Sequence, residues 1–183
     1  MLKAMELVHE VLAAARFAAE KHAQQRRKGT GAEPYVNHLI EVAQLVSMAV
    51  AESDVGLIQA ALLHDTIEDT ATTAEELIEQ FGQDVAALVV EMTDDKRLPK
   101  AERKRLQIEH APKITARAQT IKLADKISNL RSLLTSPPAD WDYERKRQYF
   151  EWARRVVDAL SAPNRVLLEE FERVYRRVGE LER

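Results

Sequence analysis

Four side chains far apart in the chain are of the types that hold a divalent metal: His38, the adjacent pair His64-Asp65, and Asp125 within Lys122-Leu123-Ala124-Asp125-Lys126. Two imidazoles and two carboxylates make a mixed nitrogen and oxygen shell that suits a first-row divalent ion and leaves positions for water and a phosphate oxygen. Such a shell points to hydrolytic chemistry. Two more carboxylates follow at helical spacing. Glu68 lies four after His64 and Asp69 four after Asp65, so a continued helix or tight turn keeps both near the ligand pair, where a carboxylate can orient an activated water and take its proton. Asp125 and Asn129 share a helical face in the same way, and the amide can reach that water or a phosphate oxygen.

Length and composition set the frame for these groups. With 183 residues, 45% hydrophobic and 31% charged, the chain can bury a sizeable core as one domain, residues 1–183. There is no cysteine, which excludes a disulfide framework, a thiolate metal site and a cysteine nucleophile. Met1 to Arg16 contains Glu6, His9 and Glu10 in place of a continuous apolar stretch, and no later segment approaches the length of a membrane span. A cytoplasmic protein with no membrane partner is expected. The net charge of -3 gives no overall attraction to nucleic acid, whereas the local cluster Arg26-Arg27-Lys28 can hold a small anion. A small-molecule partner is therefore expected rather than a polymer.

The elements that must carry these groups read as helices almost throughout. Apolar residues recur at three and four from Ala4 to Gln24, and a polar loop from Gln25 to Pro34 follows, with Gly29, Gly31 and Pro34. Asn37 is placed to cap the His38 helix, and Asp54 the helix that runs through Leu57, Ala60 and Leu63 into His64. Thr73-Ala74-Glu75-Glu76 reads as a capping box, Gly82 ends that helix, and a second stretch runs from Asp84 to Met92. Pro99 punctuates before Ala101. Lys113 to Leu134 is helical by pattern and stops at Pro137-Pro138, and Tyr143 to Leu160 and Asn164 to Val178 close the chain. No alternating period-two run bounded by turn residues is found, so the fold class is all-α, a helical bundle.

Five segments in order carry a resemblance: Arg26-Arg27-Lys28-Gly29, Pro34-Tyr35-Val36-Asn37-His38, Ala61-Leu62-Leu63-His64-Asp65-Thr66-Ile67-Glu68-Asp69-Thr70, Met92-Thr93-Asp94-Asp95-Lys96 and Lys122 to Lys126. Together they resemble the hydrolase domain of the RelA/SpoT family, part of the HD metal-dependent phosphohydrolases. The likeness runs from about Ala13 to about Asn164, leaving a C-terminal helix near 164–180. With no synthetase or regulatory domain, and with Tyr149-Phe150-Glu151-Trp152-Ala153, the chain is similar to the small alarmone hydrolases of the metazoan SpoT-homologue type.

The resemblance implies a Mn2+-dependent release of pyrophosphate from the ribose 3′ position of guanosine tetra- and pentaphosphate (ppGpp and pppGpp). It implies His38, His64, Asp65 and Asp125 as metal ligands, Glu68 with Asp69 or Asn129 as the water-handling groups, and Arg27, Lys28 and Tyr149 as substrate-binding residues. Guanidinium and ammonium groups suit a polyphosphate, and Gly29 and Gly31 would let backbone N–H groups approach it. The chain departs from the family at Leu39, where proline is common, and at Ser128, where a larger ring often precedes the asparagine. Two other activities share such a site, removal of the 2′-phosphate of NADPH and hydrolysis of nucleoside monophosphates. A catalytically inactive nucleotide-binding regulator is the alternative of another class, and the intact set of ligands and carboxylates argues against it. His9, His22 and His110 lack partner motifs and read as ordinary core or surface histidines, and Arg103-Lys104-Arg105 as exposed helix charges.

Overall fold

Every stretch with apolar residues at three and four folds as helix in the computed structural model, which describes residues 2–50 and 54–181. The helices are α1 (Leu2–Lys21), α2 (Val36–Ala49), α3 (Val55–Leu63), α4 (Thr66–Asp69), α5 (Ala74–Met92), α6 (Lys100–His110), α7 (Ala116–Thr135), α8 (Tyr143–Asp158) and α9 (Arg165–Tyr175), followed by a 3₁₀ turn (Arg176–Glu180). Among the described residues there is no strand. One isolated antiparallel bridge joins Arg26 to Pro34 and pinches the loop between α1 and α2 into a hairpin-like arm.

Two helices form the centre. α3 packs against α1, α2 and α5, while α7 packs against α2, α5, α8 and α9. Every residue of α3 from Ala60 to Leu63 is buried, as are Ile121, Leu123, Ala124, Ile127 and Leu130 of α7. Phe150 of α8 and Phe171 of α9 close the core behind α7. Burying a side chain of this size contributes about 1.5–3 kcal/mol, so these two helices carry much of what opposes chain entropy.

The ends of the helices follow local chemistry with two corrections. The Asp54 carboxylate accepts the Leu57 N–H at 3.0 Å, and the Thr73 hydroxyl accepts that of Glu76 at 3.2 Å, as capping requires. The Glu76 carboxylate does not complete a box; it takes Lys21 of α1 at 2.7 Å and so ties α5 to α1. Asn37 does not cap α2. The turn starts two residues earlier, at Tyr35, and has no side-chain cap, because Tyr35 already has helical dihedrals. Gly82 breaks α5 with φ 85° and ψ 165°, a left-handed region that a residue with a Cβ avoids. Leu39, in place of the family's common proline, is wholly buried and simply adds to the core.

Candidate active site

His38 enters from the first turn of α2, and His64 and Asp65 occupy the break between α3 and α4. That break is held by its own backbone and hydroxyls: the Thr66 hydroxyl donates to the Leu63 carbonyl at 2.6 Å, and the Asp69 N–H to the Asp65 carbonyl at 2.8 Å. The chain thus leaves one helix, turns His64 and Asp65 inward and winds one further turn that carries Glu68 and Asp69.

One donor atom each of His38, His64 and Asp65 lies within 4.8 Å of the others. Asp65 Oδ2 stands 3.6 Å from His38 Nε2 and 3.2 Å from His64 Nε2. Asp125 Oδ1, from the middle of α7, faces the same two nitrogens at 3.3 and 3.9 Å. The outer nitrogens are engaged elsewhere. His64 Nδ1 donates to the Ala61 carbonyl at 2.8 Å, and His38 Nδ1 meets the Ser128 hydroxyl at 2.9 Å. His64 Nε2 is buried without a hydrogen-bond partner. With Nδ1 committed to a carbonyl, a buried Nε2 facing two carboxylates is placed to take a cation, either a proton or a metal ion.

The electrostatics agree. Burial opposes a charge on His64, yet Asp65 and Asp125 overcome it and push its pKa up to about 10, so in the metal-free protein a proton supplies the positive charge. Burial also works against ionisation of Asp65 and of Asp125. The neighbouring imidazoles outweigh it for the first, and Lys126 with both imidazoles for the second, holding each carboxyl well below its usual range. His38 is lowered, mainly by burial, and stays a neutral donor. A divalent cation fits this donor set.

The remaining sequence-derived residues fall around the cluster. Glu68 accepts the Asp94 N–H through Oε2 at 3.0 Å, and its Oε1 lies 3.7 Å from Arg103. Burial and then the carboxylates of Asp65, Asp94 and Asp69, against that N–H, push its pKa up to about 7. Asp69 accepts Gln25 Nε2 at 2.7 Å and is paired with Lys96. Asn129 is spent on two neighbours: its amide N–H donates to Asp125 Oδ1 at 2.6 Å and its carbonyl accepts from Arg27 at 3.1 Å. It bridges a metal-side carboxylate to a cationic wall.

That wall belongs to a cavity of about 450 Å³ lined by Arg27, Lys28, Tyr35, Asp69, Lys96, Lys100, Asn129, Trp141 and Tyr149, within the range of small-molecule sites. Tyr149 lies between Trp141 and Trp152, at 5.6 and 5.1 Å between ring centres, and burial pushes its hydroxyl up to about 12. Lys28 is exposed at the rim, Arg27 half-buried and Arg26 turned to solvent. The Gly31 N–H of this arm is not offered to a ligand as its position suggested. The Gly31 N–H donates to the Ser136 hydroxyl at 2.9 Å, and a Cβ on Gly29 would meet the Ser136 carbonyl at 2.0 Å, so both let the arm lie flat against the end of α7.

Several residues at the site escape a sequence reading. The Tyr35 hydroxyl donates to Asp65 Oδ2 at 2.6 Å. His22 is buried, stacked on Tyr35 at 5.1 Å and bonded through Nδ1 to Gln25 at 2.6 Å, which makes it part of the support for Asp69. Lys104 is not an exposed charge. It lies over the Tyr149 and Trp152 rings at 5.1 and 4.6 Å, and burial beside Lys100, Lys126 and Arg145 lowers its pKa to about 8. Lys126 approaches Trp152 at 4.5 Å while its ammonium donates to Asp125 Oδ2 at 2.9 Å. The one clue in the sequence is the helical spacing of Lys122, Asp125, Lys126 and Asn129.

Comparison with known proteins places this geometry. The HD domain family matches residues 14–149. The chain is 50% identical over 169 residues to the guanosine-3′,5′-bis(diphosphate) 3′-pyrophosphohydrolase MESH1 of Xenopus tropicalis, covering 92% of this chain and 94% of that one. It is 49% identical over 170 residues to the human protein of the same name, covering 93% and 95%. A solved structure described as a metazoan ortholog of SpoT that hydrolyzes ppGpp superposes with a TM-score of 0.88 at 48% identity, over 94% of this chain and 97% of that one. With the family match, the identity over nearly the whole of both chains and the shared helical fold in agreement, the chain belongs to the HD domain family and, within it, to the MESH1-like branch of the RelA/SpoT group.

Proposed function

We propose that residues 1–183 act as a single guanosine-3′,5′-bis(diphosphate) 3′-pyrophosphohydrolase, cytoplasmic and using Mn2+, that releases pyrophosphate from the ribose 3′ position of ppGpp or pppGpp to leave GDP or GTP. Beside the activity of its relatives, one observation carries the reading. A cluster of two imidazoles and two carboxylates adjoins, through Tyr35, Asp69 and Asn129, a cation-walled cavity large enough for a nucleotide.

His38, His64, Asp65 and Asp125 would hold the ion. Bound there, a divalent ion supplies Lewis acidity at the reacting phosphorus and lowers the pKa of water. Glu68 takes the proton from the attacking water; with a pKa near 7 it is both free to accept and basic enough to compete. Asp69, fixed by Gln25 and Lys96, orients that water. Arg27 and Lys28 neutralise the phosphoryl oxygens as charge spreads over them, and Asn129 holds Arg27 in register with Asp125. Tyr149 offers a ring at the cavity wall for the base. Nitrogen and oxygen donors without thiolate favour a borderline or hard ion; Mn2+ is the one proposed over iron, cobalt, magnesium or zinc.

The test is product analysis of metal-stripped protein given ppGpp or NADPH, with and without Mn2+. Manganese-dependent GDP and pyrophosphate are expected. Inorganic phosphate from NADPH with nothing from ppGpp would keep the site and overturn the substrate, and silence on both would overturn the hydrolase reading.

A further inference from the structure

The two imidazoles are held from behind by different acceptors. His64 Nδ1 donates to a main-chain carbonyl, that of Ala61, at 2.8 Å. His38 Nδ1 instead meets the Ser128 hydroxyl at 2.9 Å, and that hydroxyl stands 2.6 Å from Glu41 Oε2. The direction of the chain is set by proton count. A carboxylate only accepts and a hydroxyl has one proton to give, so Ser128 donates to Glu41 and accepts from His38. The lone pair of His38 is thereby turned toward Asp65 and Asp125. Glu41 is fixed in turn by Arg131, whose other nitrogen holds Glu170 of α9 at 2.7 Å.

The placement is a matter of helical phase. Glu41 lies three after His38 on α2, and Ser128 three after Asp125 on α7, so each helix presents a ligand and a supporting group on one face, and the two faces meet. The Ser128 hydroxyl stands between the back of His38 and the Glu41 carboxylate and links the two. A carboxylate linked to the far nitrogen of a ligating imidazole fixes its tautomer and orientation and makes it a better donor.

We propose that Glu41, acting through Ser128, is a positioning residue that sets the affinity of the His38 side of the site for its divalent ion. The inference rests on the proposed reading of His38 as a ligand. Neither residue lines the cation-walled cavity. Removing the hydroxyl frees the ring to rotate and leaves Nδ1 unpaired in a buried place.

The experiment is a Mn2+ titration of metal-stripped protein, by calorimetry and by electron paramagnetic resonance of free Mn2+, on wild type, His38→Ala, Ser128→Ala, Ser128→Thr, Glu41→Gln and the Ser128→Ala/Glu41→Gln double variant. Ser128→Ala is expected to raise the Mn2+ Kd about 10- to 100-fold, the range for groups that support a metal ligand. Glu41→Gln should shift it in the same direction by less, and Ser128→Thr should retain wild-type affinity. The double variant should bind no more weakly than Ser128→Ala, because the carboxylate acts only through the hydroxyl. Melting in EDTA separates a plain strut between α2 and α7: lower metal-free stability with unchanged Mn2+ Kd in both single variants would overturn the relay while His38→Ala still lost the ion. Wild-type Mn2+ binding by His38→Ala would overturn the ligand reading itself, and the relay with it.

Discussion

Replacing Lys126 with methionine isolates the electrostatic debt of the metal-free site. The Lys126 ammonium donates to Asp125 Oδ2 at 2.9 Å, stands 4.5 Å from the centre of the Trp152 ring, and the residue is 3% exposed. Burial works against its charge, but Asp125 outweighs burial and raises its pKa, so the ammonium is charged throughout the working range. Methionine keeps most of the volume, which makes the cavity cost small. What is lost is the cation, leaving Asp125 desolvated across the imidazoles from Asp65. Breaking one side of a buried pair costs about 3–5 kcal/mol, a large part of the ~5–15 kcal/mol that holds a domain together.

The loss should depend on metal. A divalent ion at Asp125 supplies positive charge in place of the ammonium, so urea denaturation followed by circular dichroism should show ~3–5 kcal/mol lost in EDTA and distinctly less in saturating Mn2+. Closing the cycle requires the variant to bind Mn2+ more tightly by the difference. A double replacement, Asp125→Leu with Lys126→Met, should recover most of the metal-free stability, since exchanging a whole buried pair for apolar residues is often neutral. A loss below about 1 kcal/mol in EDTA, or equal losses with and without metal, would refute the reasoning.

Other outcomes follow from single groups. Activity should fall on acidification below about pH 7, because Glu68 must be ionised to take a proton and its pKa stands near 7; a bound cation shifts this limb lower, never higher, and a pH–rate profile of kcat checks it. Above its unfolded pKa the raised Glu68 costs stability as it ionises, so Glu68→Gln should lose turnover, keep the metal and leave metal-free stability at pH 8 equal or higher. Asp65→Ala should lose metal and turnover together, and emptying of the metal site by Glu68→Ala as well would show the roles to be misassigned; Mn2+ titration decides. Gly29→Ala puts a Cβ 2.0 Å from the Ser136 carbonyl and must lift the arm that carries Arg27 and Lys28, so KM should rise several-fold with Mn2+ affinity unchanged.

The helices, and the residue types that meet at the cluster of His38, His64, Asp65 and Asp125, are legible because each rests on a local signal. Periods of three and four, Asp54, Thr73 and Gly82 mark elements, and the five motifs mark the chemistry. What escaped depends on long-range meeting. Tyr35 and Asp65, Gln25 and Asp69, and Ser128 with His38 and Glu41 belong to different helices or loops, and no spacing within one segment reveals such a meeting. Asn37 does not cap because Tyr35 begins the turn early, and the Gly31 N–H is taken by Ser136, which lies beyond the reach of any local pattern. Lys104 was misread because the aromatic pocket that receives it comes from α8, forty-five residues and more along the chain.

α7 shows why periodicity alone could not tell inside from outside here. Lys122, Asp125, Lys126 and Asn129 stand at i, i+3, i+4 and i+7, a polar stripe flanked by Ile121 on one side and Leu123, Ile127 and Leu130 on the other. On a surface helix such a stripe faces water. In this protein Lys122, Asp125 and Lys126 are buried, and each polar end finds a partner within the protein: Lys122 the Met92 carbonyl at 3.4 Å, Lys126 the Asp125 carboxylate, and Asn129 both Asp125 and Arg27. A buried stripe of mixed sign is tolerable only if it is nearly neutral in sum and fully paired. Lys126 neutralises Asp125 from the Oδ2 side, away from the imidazoles, which leaves Oδ1 turned toward His38 and His64, while Lys122 is held by the Met92 carbonyl.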